Sequence, residues 1–400
     1  MDLSFGPENE AFRETVKAFL EQEWKPAGLR GGELGAYMKD FRRRATDAGY
    51  LYRGIPRQYG GSEQAPDVLK AQVIRDAFAA ARAPMEVPGN GMNMLVPTLL
   101  ERGEDWQKER FIPPTVAGDF VWGQGYSEPG SGSDLASVRT RGVLEGDQWV
   151  INGQKIWTSG GDRSDYMFAL IRTEPDAPKH RGISYLLIDL HQPGITIRPL
   201  RQMTGGREFC EIFFDNATTP ADWIVGQRGE GWQVSRTTLK HERASIGTAE
   251  RSEELVSKLV ELARESTRFG RPAIEDPQIR QDLAALEGWA LAHKYSSYRQ
   301  FSLAAEGREP GLISLVSKLM ITDIGHEAAR IAQELIAEDA LLQPAPPGRG
   351  AQRGREKWLD QIMGSLGVAI AGGASNIQRN IIAERGLGLP RDTTTSGAES

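Results

Sequence analysis

The chain has 400 residues, 39% of them hydrophobic, with a mean hydropathy of −0.44 and a formal net charge of −6. This composition supports two or three packed units, and it excludes a basic nucleic-acid-binding surface and an apolar membrane span. A single cysteine, Cys210, excludes an internal disulfide framework, and the start MDLSFGPENEAF lacks the regions of a signal peptide. We therefore expect a cytoplasmic protein.

The first 120 residues are predicted to be helical. In NEAFRETVKAFLEQEW, the side chains of Phe12, Val16, Phe19 and Leu20 keep the spacing of one buried helix face. Turn-rich segments such as QYGGSEQAP and APMEVPGNG separate the helical stretches that follow. Residues 1–120 are therefore assigned to an N-terminal helical domain.

Residues 121–231 carry the pattern of strands. In QWVINGQKIW, the pair Asn152 and Gly153 predicts a hairpin turn between two short strands. Further strand-like segments follow at even spacing: YMFALIRT, GISYLLIDL, ITIRPL and CEIFFD. Because no helical stretch separates them, we predict a central antiparallel β-barrel or sandwich domain.

Residues 232–390 are predicted to form a C-terminal helical bundle. Apolar residues at helical spacing mark three helices: Leu255, Leu259 and Leu262; Ile279, Leu283, Leu286 and Ala290; and Val316, Leu319, Ile324, Ala328, Ile331 and Leu335. A basic, Pro/Gly-rich loop within LLQPAPPGRGAQRGREKW interrupts them, and residues 391–400 form a polar tail. The predicted fold class is α+β, in which helices, then strands, then helices follow one another along the chain.

Common catalytic motifs are missing from the sequence. No G-x-G-x-x-G follows a strand, no Walker loop is present, and Ser127 in GYSEPG does not stand in a G-x-S-x-G elbow. The five histidines are scattered and never share metal-ligand spacing with Cys210, so no metal site is expected. Nicotinamide-dependent, hydrolytic and zinc-dependent chemistries are thereby disfavoured.

Two glycine-rich and hydroxyl-rich segments are candidate binding loops. QGYSEPGSGSD, residues 124–134, offers backbone N–H groups and serine hydroxyls that suit a flat heterocycle or a phosphate, although an ordinary surface turn has the same composition. In GQKIWTSGG, Trp157 stands beside Thr158 and Ser159. An indole next to hydroxyls suits the wall of an aromatic cofactor site, and it is also common in protein cores.

The segment TTLKHERASIG places one acid, Glu242, among three basic residues. On a helix, Glu242 would lie about 60° from Leu239 and about 40° from Ile246, which is the buried edge of that helix. A carboxylate in such a position needs a partner or a chemical role. Both a salt-bridged structural glutamate and a catalytic one fit the pattern.

Taken together, these segments resemble the acyl-CoA dehydrogenase family of flavoproteins. SEPGSGSD, residues 127–134, is similar to the family's T-E-P-x-A-G-S-D loop, with Ser for Thr and Gly for Ala. NGQKIWTS, residues 152–159, is similar to the family's N-G-x-K-x-W-[IT]-[TS] segment. The order of helical, β and helical domains also resembles that of the family over residues 1–390.

The resemblance implies FAD held between the β domain and the C-terminal helices. Tyr126 and Ser127 would contact the flavin ring, and Trp157, Thr158 and Ser159 would lie behind the ring and near its N5 atom. Glycines permit close approach and hydroxyls orient the ring, while the redox chemistry belongs to the cofactor.

The resemblance also implies a carboxylate base that removes the α-proton of a fatty acyl thioester. Most family members carry this glutamate near the C-terminus, but the matching position here is Gly372. A smaller branch, including isovaleryl-type and long-chain-type enzymes, places it on a helix before an arginine, as in Glu242 and Arg243. Gly372 would then leave room for Glu242 and donate its backbone N–H to the thioester carbonyl. Arg243 would lie near the acyl-CoA, and Ser133 near its pantetheine or phosphate end.

Two segments depart from the family pattern where FAD carries its pyrophosphate and adenine. In RESTRFGRP, Ser266 stands at the arginine position of R-x-x-F-G, so Arg268, in preference to Arg264, is expected to bind the pyrophosphate of a neighbouring subunit's FAD. AQELIAEDALL lacks the glycines of the family's Q-x-x-G-G-x-G helix end. In AIAGGASNIQRN, Ala374 and Asn376 are expected to add cofactor contacts.

The predicted reaction is the FAD-dependent oxidation of an acyl-CoA to a trans-2-enoyl-CoA, with a separate electron-transfer flavoprotein as acceptor. The alternatives are an oxygen-using acyl-CoA oxidase and a flavin-poor partner subunit of a two-gene enzyme; a nitroalkane-oxidising relative would use an aspartate as base. The closing segment IQRNIIAERGLGLPR resembles a divergent bacterial group, some of whose members act on bulky thioesters such as those of steroid side chains. We expect a homodimer, homotetramer or heterotetramer with a related subunit, and no nucleic-acid or membrane partner.

Overall fold

The structure is a computed structural model that describes residues 6–245, 249–308, 311–342 and 356–390. The chain forms two units, one made of Met1–Pro199 with Phe209–His241 and the other of Leu200–Glu208 with Glu242–Ser400. The predicted basic loop at residues 343–355, the polar tail and Ile246 lie outside the described residues. The predicted domain boundaries at residues 120, 231 and 390 stay a prediction.

The N-terminal part of the first unit is helical, as predicted. Its helices are α1 (Gly6–Glu23), α2 (Gly31–Asp47), α3 (Val68–Ala80), α4 (Val96–Arg102) and α5 (Asp105–Ala117). In α1 the predicted apolar face is confirmed, because Val16 and Leu20 are buried and Phe12 and Phe19 pack against the same core. Helix α3 begins where the Asp67 side chain accepts a hydrogen bond from the backbone N–H of Lys70.

A curled, seven-stranded sheet follows these helices. Its strands are β1 (Trp122–Gly125), β2 (Arg141–Glu145), β3 (Gln148–Ser159), β4 (Tyr166–Arg172), β5 (Ile183–Asp189), β6 (Ile195–Leu200) and β7 (Phe209–Pro220). They are ordered β1-β4-β2-β3-β7-β6, with β5 paired to β4. Most neighbours are antiparallel, as predicted, whereas β1 and β2 each run parallel to β4.

The centre of the sheet is buried on both faces. Along β4, Phe168 and Leu170 join the core formed with the N-terminal helices. The alternate residues Met167, Ala169 and Ile171 join a second core with apolar side chains of β3 and β7. Because side chains of a strand alternate between its faces, this one segment packs against two layers at once.

The predicted hairpin at Asn152 and Gly153 is wrong. Strand β3 runs straight through both residues, and the turn lies earlier, at Gly146 and Asp147, where β2 and β3 pair through Glu145 and Gln148. Gly146 has φ +64°, which suits the first central position of a two-residue hairpin loop. Gly153 instead lies opposite a bulge of β7, where Asp215 and Asn216 stand against the single residue Asn152 of β3.

The second unit is a helical bundle, which confirms the predicted order of helices, strands and helices. Helix α6 (Gly231–Ser245) leads into it and is followed by α7 (Ala249–Glu265), a short hairpin of β8 (Thr267–Arg268) and β9 (Arg271–Pro272), α8 (Pro277–Ala305), α9 (Ile313–Ile336), α10 (Glu356–Val368) and α11 (Ser375–Ile381). Leu259, Ile279 and Ile324 are fully buried in its core, as their spacing predicted, whereas Val316 is exposed. Among the helices of the described ranges, none has the length and apolar character needed to cross a membrane.

Replacing Gly153 by alanine should destabilise the first unit. Gly153 has φ +145°, and an added Cβ would lie 2.7 Å from the Cα of Thr140. Strain and overpacking together should lower the free energy of unfolding by about 2–4 kcal/mol. Chemical denaturation of Gly153→Ala measures this, with Gly54→Ala as the control, because nothing lies within 4 Å of a Cβ at Gly54. Equal midpoints for the two variants would contradict the expected strain at Gly153.

Candidate functional site

The end of β1 and the second half of β3 are tied together by hydrogen bonds. The backbone N–H of Ile156 donates to the Ser127 carbonyl at 3.0 Å, and the Thr158 hydroxyl donates to the Gln124 carbonyl at 3.1 Å. The structure therefore brings five of the predicted cofactor residues together: Tyr126, Ser127, Trp157, Thr158 and Ser159. The place where the end of β1 meets the second half of β3 is called the edge of the sheet below.

Trp157 is held in an unusual backbone conformation. It lies in a bulge between Lys155 and Thr158 and has φ +65°, a left-handed value that bulky side chains rarely adopt. Its indole is 57% exposed and contacts Phe209 edge-to-face, with ring centroids 6.1 Å apart. A strained backbone that exposes a large aromatic side chain is typical of a binding site.

The surroundings of Trp157 fit a flat aromatic ring. Ser159 is exposed and Ser127 half-buried beside the exposed indole, so polar groups and an apolar surface occur together. Tyr126 and Thr158 are buried, and the Thr158 hydroxyl already donates to a backbone carbonyl. Tyr126 and Thr158 therefore pack inside the protein, whereas Ser127, Trp157 and Ser159 are accessible to a ligand.

The loop after Ser127 is a tight turn. The backbones of Glu128 and Ser131 exchange two hydrogen bonds of 2.9 Å, and the Ser131 hydroxyl donates to the Asp134 carbonyl. Ser133 is exposed on this loop. The Lys179 ammonium lies 2.7 Å from the Asp134 carboxylate and lowers the pKa of Asp134. A ligand could therefore reach Ser133 without disturbing the turn.

Helix α6 is anchored by buried hydroxyl groups. The Thr238 and Thr98 hydroxyls are 2.9 Å apart, and Ser235 and Thr237 are also buried. One residue before the candidate base, His241 pairs with Glu101 at 2.7 Å. Glu242 is half-buried, in agreement with the edge position that the helical pattern predicts. Arg243 follows Glu242 in the same helix.

Two more predicted residues, Gly372 and Ala374, lie in one turn of the second unit, and a third, Asn376, lies at the start of the helix that follows. Gly372 and Gly373 both have positive φ, +62° and +96°, between α10 and α11. The turn is closed where the Ser375 N–H donates to the Ala369 carbonyl at 2.9 Å. Ala374 directly precedes α11 and Asn376 is exposed on that helix. Glycine adopts the left-handed backbone conformation of Gly372 more readily than residues with a side chain do.

Arg268 lies in the β8–β9 hairpin and already has acidic neighbours. Its guanidinium is 2.9 Å from Glu334 and 3.4 Å from Asp276, and it stands over the ring of Phe269. Ser266, at the family's arginine position, is buried. A phosphate bound by Arg268 would therefore compete with two carboxylates. Arg268 is on a separate element from α6 and from the turn of Gly372.

The sequence analysis assigned no role to Lys155 and Glu128, which form a buried ion pair behind the loop. A signal for Lys155 was present in the strand pattern. Trp149, Ile151 and Lys155 stand at odd positions of β3, and the first two are core residues, so the same face carries the lysine inward. In the part of the chain that the structure describes, no cluster of His, Cys, Asp or Glu side chains is arranged to hold a metal ion.

Comparison with known proteins covers nearly the whole chain. Family models match residues 6–119 as an acyl-CoA dehydrogenase N-terminal domain, residues 123–217 as the middle domain and residues 229–387 as the C-terminal domain. Acyl-CoA dehydrogenase IpdE1 of Mycobacterium tuberculosis is 37% identical over 394 residues, covering 96% of this chain and 98% of that protein. Acyl-CoA dehydrogenase FadE34 of the same organism is 37% identical over 377 residues, covering 91% of this chain and 49% of that protein.

Solved structures show the same fold. A crystal structure of the ChsE4-ChsE5 complex from Mycobacterium tuberculosis matches with a TM-score of 0.77 and 30% identity, over 98% of this chain and all of that chain. A structure described as the Tcur3481-Tcur3483 steroid ACAD matches with a TM-score of 0.77 and 28% identity, over the same shares. The chain therefore belongs to the acyl-CoA dehydrogenase family. It is a flavoprotein oxidoreductase that dehydrogenates acyl-CoA thioesters, as the sequence motifs predicted.

Replacing Trp157 by alanine should weaken flavin binding. A flat ring that covers the exposed indole would lose its aromatic contact, and we expect the affinity of the apoprotein for FAD to fall about tenfold. Fluorescence titration of the apoprotein with FAD measures the affinity. Trp289→Ala is the matched control, because Trp289 is 52% exposed on α8. If both variants lost FAD affinity equally, the loss would follow from removing any exposed indole, and the position of Trp157 in β3 would not matter.

Proposed function

We propose that the chain converts an acyl-CoA to a trans-2-enoyl-CoA with FAD as cofactor and Glu242 as the base. The observation that carries this proposal is the pairing of a half-buried glutamate at position 242 with a glycine at position 372. The family's more common base position is thereby left without a side chain, while the alternative position holds a carboxylate. The bound flavin supplies the hydride acceptor for the β-carbon.

Glu242 would accept the proton from the α-carbon of the thioester. Helix α6 is suited to hold a base, because its preceding turns are anchored by the buried residues Ser235, Thr237 and Thr238. A rigid support keeps a carboxylate within hydrogen-bonding reach of the proton that it removes. Half-burial reduces the competition from water for the same carboxylate.

Gly372 would stabilise the negative charge that develops on the thioester carbonyl. Its positive φ turns the backbone of this segment in a way that a side chain would resist. A backbone N–H aimed at a developing oxyanion is a common source of transition-state stabilisation. Arg243 and Ser133 would bind other parts of the acyl-CoA.

The flavin ring would be held by the edge of the sheet described above. Ser127, Trp157 and Ser159 would touch the ring, with Tyr126 and Thr158 supporting them. Ala374 would add a contact from the turn that follows α10, and Asn376 one from the start of α11. Arg268 would bind the pyrophosphate after exchanging at least one of its two carboxylate partners.

We infer that the substrate is the CoA thioester of a bulky acid, as in the Tcur3481-Tcur3483 steroid ACAD to which the chain is similar. An electron-transfer flavoprotein is the proposed acceptor. The resemblance to the ChsE4-ChsE5 complex favours an oligomer that includes a related second subunit, in preference to a homodimer or homotetramer. Substrate and assembly both rest on likeness to these proteins.

Replacing Glu242 by glutamine should stop proton removal while keeping the shape of the side chain. Anaerobic mixing with straight-chain, branched and steroid-like acyl-CoA thioesters should bleach the bound flavin of the wild type. The Glu242→Gln variant should bind the same thioester but bleach about a thousandfold more slowly, since a general base contributes roughly that much. Glu254→Gln, which alters an exposed carboxylate on α7, is the control. Bleaching of Glu242→Gln at the wild-type rate would exclude Glu242 as base.

Replacing Arg268 by alanine should weaken FAD binding more than replacing Arg264. Loss of one charged hydrogen-bonding group to the pyrophosphate is expected to lower the affinity about tenfold or more. Equilibrium dialysis of FAD against both variants gives the comparison, and added salt should weaken wild-type binding more than that of Arg268→Ala. The reverse order of affinities would move the pyrophosphate contact to Arg264.

A further inference from the structure

The Lys155 ammonium is fully buried in the first unit. It donates to the Glu128 carboxylate at 2.8 Å, to the Leu170 carbonyl at 2.7 Å and to the Tyr126 carbonyl at 3.3 Å. An ammonium has three N–H donors, so each of them has an acceptor here. The group connects three segments: the end of β1, strand β3 that carries it, and strand β4.

Glu128 extends this connection to the far end of the loop. Its carboxylate accepts hydrogen bonds from the backbone N–H groups of Arg139, at 2.6 Å, and Thr140, at 2.9 Å. The loop from Ser127 to Thr140 is therefore closed on itself through one carboxylate. The Arg172 guanidinium also contacts this loop, since it donates to the carbonyl of Ala136 at 2.6 Å.

Each group of the pair favours the charged form of the other. Burial lowers the pKa of Lys155 to about 8, against the opposing attraction of Glu128. Burial alone would raise the pKa of Glu128, but Lys155 and the N–H donors hold it below its usual value. The Arg172 guanidinium also interacts with both charges of the pair. Removing one charge of such a pair leaves the other buried and uncompensated, which is strongly destabilising.

We propose that the Glu128–Lys155 pair is a positioning device for the flavin edge. It binds the Tyr126 carbonyl and closes the loop that follows. In this way it fixes the backbone conformation at Ser127, which would contact the ring. The pair does not touch the proposed ring site itself, since Lys155 is fully buried and Glu128 is buried behind the loop. This inference rests on the proposed FAD site, but the clamping of the loop can be tested without any cofactor.

The test compares Lys155→Met and Glu128→Gln with the matched control Lys179→Met. Lys179 also pairs with a carboxylate of this loop, Asp134, but it does so at the surface. Amide hydrogen exchange of the apoproteins is measured for residues 126–140, with residues 183–189 of β5 as an internal reference for global unfolding. We expect the 126–140 amides to exchange at least about tenfold faster in Lys155→Met, the reference to stay protected, and the control to match the wild type.

A second measurement separates positioning from simple stability. At saturating FAD, the visible circular dichroism of the bound flavin should change in Glu128→Gln and Lys155→Met, and stay unchanged in Lys179→Met. Glu128→Gln keeps the size of the side chain, and it serves if Lys155→Met does not fold.

The results distinguish the two proposals. Unchanged amide exchange at residues 126–140 in both variants would show that the Glu128–Lys155 pair does not hold the loop, and would overturn the proposal. Faster exchange with an unchanged flavin spectrum would show that the pair holds the loop but does not position the flavin site. Equal effects in Lys179→Met would show that any ion pair to the loop suffices, which also overturns the proposal. A wild-type protein that binds no FAD would instead overturn the proposed function, and the role of the pair toward flavin with it.

Discussion

The burial of β4 and β5 on both faces is the constraint on which the first unit depends. In β5, Tyr185 and Leu187 point to the core shared with the N-terminal helices, whereas Leu186 and Ile188 point to the core inside the curled sheet. Each such side chain contributes about 1.5–3 kcal/mol by leaving water. Because the two faces of β4 and β5 pack against different layers, loss of either layer would expose one apolar face of both strands. Burial on both faces makes these strands rigid. The ends of β1 and β3 are attached to them, so a binding site formed there keeps its geometry.

Much of this fold could be predicted because its elements have strong periodicity. The period of α1 and the apolar runs of β4 and β5 are local signals, and the structure confirms them. The hairpin predicted at Asn152 and Gly153 was wrong for a physical reason. The dipeptide favours a turn locally, but the sequence does not show that β7 pairs with this segment. Strand β3 instead pairs with β7 on both sides of Gly153, the extra residue of the neighbouring bulge lies in β7 at Asp215 and Asn216, and Thr140 approaches Gly153 closely.

The candidate site was predictable only in part. Two sequence motifs located the residues around Trp157, since both lie on short contiguous segments. Ion pairs between distant segments leave no such signal. Arg268 contacts Glu334, which is 66 residues further along the chain, and Lys155 of β3 contacts Glu128 in the loop after β1, so both pairings depend on the tertiary fold. The inward direction of Lys155 could be predicted from strand alternation, whereas its partner could not.

The left-handed backbone of Trp157 has a consequence for the whole chain. Strain of this kind costs about 1–3 kcal/mol, and the exposed indole adds an unfavourable contact with water. At the proposed flavin site, a bound ring would cover the indole and add its binding free energy to the stability of the folded state. The apoprotein is then the less durable form of the chain, and its lifetime in a cell would follow the supply of flavin.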